Sequence, residues 1–220
     1  MFKPMSKAIL ISRPDHDLIN IYFCAWCREV IEQANKNKVK VLDLVGKKAT
    51  KKILTSYLLG QDPSLVFLNG HGNQSMITGF NEEPLIEENN NEQLLSEKIV
   101  YVRSCSVGSS LGESLIRNGA KAFIGYSRKF ALCYSHSSQT RPLSDRIARL
   151  FLKPSNIVPI SLLKGNTAEV SYIKSQNSMF RSVMYMLSSK ATSEQRDAIP
   201  YLWSNRKFQV LIGNKDAKIN

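Results

Sequence analysis

Two residues of this 220-residue chain stand where a strand must end, and both can do chemistry. His71 follows the run Leu65-Val66-Phe67-Leu68-Asn69-Gly70, and Cys105 follows Ile99-Val100-Tyr101-Val102-Arg103-Ser104. A thiol becomes a nucleophile when a base takes its proton or a nearby cation lowers its pKa, and an imidazole supplies either. The pair could therefore carry covalent thiol catalysis on a carbonyl. The competing reading is a core cysteine and a turn-capping histidine, because cysteine is among the most buried residue types. Both residues lie beside Gly or Ser, where the chain must leave a sheet, and that favours a site.

The elements that would position them follow from periodicity. Short apolar runs rich in β-branched and aromatic residues, bounded by Gly or Asn, read as strands buried on both faces. Such runs occur at 7–12, 39–45, 65–69, 99–103, 120–126 and 208–213. Between the first three lie a helix to about Lys36, with Leu18, Tyr22, Trp26 and Val30 on one face, and a second helix over 49–59. The order β-α-β-α-β predicts a parallel sheet, and open parallel sheets carry their sites at the carboxyl ends of strands. Residues 74–86 read as a small hairpin and 92–98 as a short helix. Ser110 and Glu113 have capping-box spacing for a helix that Gly119 closes. Beyond Arg141 the pattern is helical at 143–152, 158–163, 167–187 and 192–198. The expected fold is α/β: a mostly parallel six-stranded sheet between helices, with extra C-terminal helices. Residues 1–220 read as a single domain, with a core over 7–140 and a helical part plus last strand over 141–213.

The succession of strand–His71-Gly72, strand–Ser104-Cys105-Ser106 and Gly119-Ala120-Lys121-Ala122-Phe123-Ile124-Gly125 resembles the caspase-like cysteine peptidases of clan CD. The closest likeness is to their gingipain-like and CHAT-domain branches, from about Lys7 to Gly213. Many relatives have Asp or Ala before the cysteine, where this chain has Ser104. The resemblance implies an endopeptidase in which Cys105 attacks a peptide carbonyl and His71 protonates the leaving amine. It implies an oxyanion hole from the Gly72 and Cys105 N–H groups. A helix starting near Ser110 is expected to turn its positive end towards Cys105 and favour the thiolate. In such folds the loop after the first strand helps to hold the substrate residue preceding the cut. Here that loop offers Asp15 and Asp17 against Arg13, which favours cleavage after Arg or Lys and leaves cleavage after Asp, held by Arg13, as the alternative, with Ser104 shaping the pocket. Loops 73–91 and 127–140 are expected to wall the cleft and to order on activation. The partners implied are a protein substrate and a separate regulatory or sensor protein. A catalytically silent caspase-like interaction module stays open as the alternative.

Other groups read as structural. Cys24-Ala25-Trp26-Cys27 lies mid-helix beside an apolar face and is expected to pack. Asp15-His16-Asp17 is too tightly spaced to rank as a metal site, and turn and capping chemistry competes with the pocket reading. His136 reads as a loop residue. No metal and no cofactor is expected.

Charge and composition bound the rest. The 43% hydrophobic content supports a sizeable core, and no apolar run reaches the length of a membrane span. The basic start ahead of a four-residue apolar run is too short for a signal peptide, and four cysteines without one read as free thiols of a cytoplasmic protein. The net charge of +12 is uneven: residues 1–112 hold 13 Lys and Arg against 12 Asp and Glu, whereas residues 113–220 hold 17 against 6. The basic residues are scattered without interleaved aromatics, so direct nucleic-acid binding is not expected; salt-dependent binding would reveal it.

Overall fold

The computed structural model describes residues 6–219; the basic start at 1–5 lies outside them. The chain runs through β1 (Ser6–Arg13), α1 (Leu18–Trp26), α2 (Arg28–Lys36), β2 (Lys40–Val45), α3 (Lys51–Gln61) and β3 (Pro63–Asn69). A hairpin of β4 (Met76–Thr78) and β5 (Pro84–Glu87) follows, then β6 (Ile99–Arg103), α4 (Leu111–Arg117) and β7 (Ala122–Tyr126). The last third holds α5 (Arg146–Leu163), α6 (Ala168–Leu187), α7 (Ser193–Asp197), α8 (Ile199–Phe208) and β8 (Gln209–Gly213). The six-stranded sheet has the order β2-β1-β3-β6-β7-β8, parallel except for β8, which pairs antiparallel with β7.

Alternation along the strands builds two cores. Ile9, Ile11, Phe67, Tyr101 and Ile124 face α1, α2 and α5, while Leu10, Val66, Leu68, Val100 and Val102 face α3 and α4. Both faces of β3 and β6 are buried, which is why those runs are continuously apolar rather than alternating. Each such side chain contributes about 1.5–3 kcal/mol. A third cluster, with Ile147, Phe151, Met179, Val183 and Leu202, binds α5, α6 and α8 together.

Four local expectations are revised. The helix expected to about Lys36 divides at Cys27, where side chains tap its carbonyls: Arg103 donates to Phe23 O at 3.3 Å and Asn156 to Trp26 O at 2.8 Å. The helices expected at 143–152 and 158–163 are one, α5, continuing through Pro154 and Pro159. Each proline removes an N–H, yet α5 buries twelve of its residues, and that burial outweighs the lost bonds. The short helix at 92–98 is a single 3₁₀ turn, Glu92–Leu95, whose Glu92 carboxylate accepts from the Asn89 and Asn90 N–H groups. The Ser110–Glu113 capping box does not form: Ser110 Oγ donates instead to Glu88 at 2.6 Å. Helix α8 has no counterpart among the expected elements; its Pro200 sits in the first turn, where no N–H is needed.

Candidate active site

The register of the two central strands sets the site. Asn69 of β3 pairs with Arg103 of β6, and two residues further on each strand come His71 and Cys105. Neighbouring strands lie about 4.8 Å apart, so both residues leave the sheet at the same carboxyl edge. Both line one cavity of about 390 Å³.

Beneath them lies Arg103, fully buried, whose partners are all neutral. It donates to Asn69 Oδ1 at 2.8 Å, to Ser155 Oγ and Asn156 Oδ1 at 3.0 Å each, and to the Phe23 carbonyl, and its guanidinium lies 4.7 Å from the Phe23 ring centroid and 5.2 Å from that of Phe67. Fixed dipoles and two aromatic faces stand in for the carboxylate that a buried cation would otherwise need. One side chain thereby ties the strand bearing His71, the strand bearing Cys105, α1 and α5. Sequence reading took Arg103 only as the end of a strand, since nothing local marks a buried arginine.

On the His71 side the chain turns sharply. A Cβ at Gly72 would meet both Met76 O and Ser104 Oγ at 2.6 Å, so this residue must be glycine for the turn to pack on β6. The Thr78 N–H bonds His71 O at 3.0 Å and the Asn73 N–H bonds Met76 O at 3.1 Å, a pattern that leaves the Gly72 N–H outside the hairpin ladder. Among the described residues neither that N–H nor the Cys105 N–H has an acceptor.

His71 Nε2 lies 2.8 Å from Asp17 Oδ2. Asp17 also caps α1, accepting from the Asn20 N–H at 2.9 Å and the Asn20 side-chain amide at 2.6 Å, and His16 Nε2 lies 3.4 Å away. Burial works against its ionisation, but the bonds from Asn20 and His71 outweigh it and hold the carboxyl below the usual carboxylate range. Its oxygens are thus committed to His71 and the helix. Asp15 is exposed and sits over Gly46 at the end of β2, and Arg13 is locked in a fork on Asp43 at 2.6 and 2.5 Å. None of the three lines the cavity, so the carboxylate pocket expected from the first loop is not assembled there. The role of Asp17 beside His71 went unseen in the sequence; its one signal was the N-cap position.

Cys105 is half-buried, and its Sγ lies 4.0 Å from the Phe130 carbonyl oxygen, with no hydrogen bond to His71 among the described residues. Burial pushes the thiol up; the Phe130 backbone and the charge of Lys129 pull the other way without offsetting it. Burial thus opposes the thiolate that the following helix was expected to favour. After Cys105 comes Ser106 in the left-handed region, φ 59°, held by its N–H on Arg128 O and by Ser109 on its own carbonyl. Ser104 is buried, its hydroxyl lacks a partner, and it lines the cavity.

The remaining wall comes from α1 (Ile19, Phe23) and from Lys129, Phe130, Leu132 and Tyr134 after β7. That second segment is pinned: Ala131 exchanges two bonds with the Asn205 amide at 2.8 and 2.7 Å, and the Ser135 N–H bonds Asp145, which also accepts from Tyr22 OH. Loop 73–91, expected as a second wall, contributes nothing to the lining. Cys24 accepts from Arg13 at 3.3 Å and Cys27 is fully buried against Arg103, so the C-x-x-C pair packs as expected. His136 is an exposed loop residue bonded to Gln139. Among the described residues no three His, Cys, Asp or Glu side chains converge to hold a metal, and no helix is long and apolar enough to cross a membrane.

No family model and no curated protein matches this sequence. Solved structures do. A crystal structure of the Arg-specific cysteine proteinase gingipain R superimposes with a TM-score of 0.62 at 13% identity, over 97% of this chain and 47% of that one. The complex of Porphyromonas gingivalis RgpB pro- and mature domains gives 0.59 at 13% identity, over 97% and 48%. The fold is caspase-like. The chain spans about half the length of these gingipain chains. An inactive zymogen C11 protease from Parabacteroides distasonis superimposes more loosely, with a TM-score of 0.45 at 11% identity.

Proposed function

We propose that this chain is a cysteine endopeptidase built on Cys105 and His71, with Asp17 orienting the imidazole. One observation carries the reading: thiol and imidazole share a cavity at the carboxyl edge of two register-paired strands. Cys105 Sγ attacks the scissile carbonyl carbon, and its proton passes to His71. The Gly72 and Cys105 N–H groups, free of other acceptors, receive the oxyanion. As the C–N bond breaks, His71 returns the proton to the leaving amine; water then hydrolyses the thioester and restores the thiol. Asp17 keeps one face of the imidazole engaged, which leaves the other nitrogen for this transfer.

Asp15 and Asp17 do not supply a pocket for Arg or Lys here, because Asp17 is engaged by His71 and the exposed Asp15 does not line the cavity. The partners proposed are a protein substrate and a regulatory protein that switches activity on, which the likeness to CHAT-like peptidases suggests. Four unpaired cysteines fit a reducing, cytoplasmic setting.

A silent interaction module is the second reading, favoured by the absent thiol–imidazole bond. A peptide bearing a thiol-reactive electrophile at the cleavage position decides between them. The background is low, since burial pushes the Cys27 and Cys133 thiols up to about 11. An active site labels at Cys105 near neutral pH, loses most labelling in His71→Ala, and cleaves no substrate as Cys105→Ala. Labelling at Cys105 no faster than at Cys24 or Cys133, together with no cleavage by the wild type, would support the silent module.

A further inference from the structure

We propose that the cavity beside Cys105 receives the substrate side chain preceding the cut and selects a large apolar residue, aromatic before aliphatic; this rests on the peptidase reading above. The apolar part of the wall is Ile19, Phe23, Phe130, Leu132 and Tyr134, and Cys105 lines the same cavity. Phe23 and Phe130 are buried and meet edge to face at 5.7 Å, so the floor presents ring edges and faces of the kind that pack best against another ring. At about 390 Å³ the space lies at the lower end of the roughly 300–1,000 Å³ of small-molecule sites, enough for one large side chain and the main chain beside it.

Charge argues the same way. The lining holds no Asp, Glu or Arg, and its one permanently charged residue is Lys129, which is exposed. A basic side chain would enter without a counter-ion, close to a like charge. An acidic one would face the apolar part of the wall, with the exposed Lys129 ammonium as its permanently charged partner, and screening removes most of that attraction. Ser104 adds a second observation. Its hydroxyl is buried, has no partner and lines the same cavity next to Cys105. A buried hydroxyl with no partner among the described residues, on the lining of this cavity, suits the substrate's main chain, whose N–H or C=O would satisfy it. The pocket is also preformed: Asn205 and Asp145 hold the 131–135 wall, and Arg103 holds the helix carrying Ile19 and Phe23. A rigid wall of fixed polarity selects more sharply than one that adapts to each side chain.

The test uses matched acetylated fluorogenic peptides that differ only in the residue before the cut: Phe, Leu, Arg or Asp. The expected kcat/KM order is Phe, then Leu, with Arg and Asp lower by about a hundredfold, because each charged side chain would enter an apolar site unpaired. A second measurement needs no turnover. Product-like acetyl peptides ending in Phe, Arg or Asp compete with iodoacetamide at Cys105, and the Phe peptide should protect at the lowest concentration. Leu132→Glu, which sets a carboxylate in the wall, should abolish the Phe preference and raise cleavage after Arg. Cleavage or protection favouring Arg or Asp in the wild type overturns the pocket assignment while leaving the peptidase reading intact. Protection by the Phe peptide with no cleavage of any peptide overturns the peptidase reading and leaves the pocket.

Discussion

At the scale of single residues, Asp17 is the side chain whose role changes most between sequence and structure. It does two separable jobs, capping α1 and engaging His71 Nε2. Asn caps a helix about as well as Asp, so Asp17→Asn should keep the melting temperature close to wild type. It should lower kcat, within the roughly 10²–10⁴-fold that a positioned acid–base contributes, and change KM little. Asp17→Ala should show the same kinetic loss and also destabilise by about 1 kcal/mol. The folded carboxyl titrates below its unfolded range, so its stabilising contribution is present above that range and fades as pH falls through the folded value. The wild type should therefore lose stability in acid that Asp17→Asn does not lose. In the same pair, alkylation of Cys105 should still be rising above the ordinary thiol range, because burial keeps the thiol protonated at neutral pH. A plateau at neutral pH would show instead a thiolate in the resting enzyme.

At the scale of elements, the two strand ends and the helix α1 form one mechanical unit through Arg103. Lys cannot reproduce its fork: a single ammonium on a flexible stem cannot serve Asn69, Ser155, Asn156 and the Phe23 carbonyl at once. Arg103→Lys should destabilise by about 3 kcal/mol in urea unfolding, since several buried polar groups lose their partners. Activity should drop further than stability explains, because Asn69 and the Ser104–Cys105 segment both lean on this side chain. Activity that tracked only the folded fraction would confine Arg103 to a packing role. The strand runs themselves were legible in sequence, and so were the buried faces of β3 and β6, because doubly buried strands write continuous apolar runs. The break at Cys27 and the unbroken α5 were not. Both depend on contacts across more than a hundred residues, such as Asn156 on Trp26 O, which no local pattern records.

At the scale of the molecule, His71, Cys105 and Gly72 could be located in sequence because each sits beside a strand end that hydrophobicity marks. The pocket could not, because Ile19, Phe23, Leu132 and Tyr134 look like ordinary core residues until the fold brings them round one cavity. The same assembly separates the two loops once expected to behave alike. The 127–140 segment is tied to α8 and to Asp145, whereas 73–91 stands off the cavity as its own hairpin. Hydrogen exchange should find Ala131 and Ser135 protected before any peptide is added, with little change on binding. Fast exchange at both that slows only with a bound inhibitor would mean that the wall closes around its ligand. Arg103, finally, bears on how such a scaffold can change its diet over evolutionary time. Of the pocket's walls Phe23 stacks on the guanidinium, whereas Ile19, Leu132 and Tyr134 make no hydrogen bond or ring contact with it among the described residues. Drift at those three can alter what is eaten while the frame that aligns thiol and imidazole stays untouched. A selection experiment that randomised them alone would sample new appetites in a population that mostly still folds.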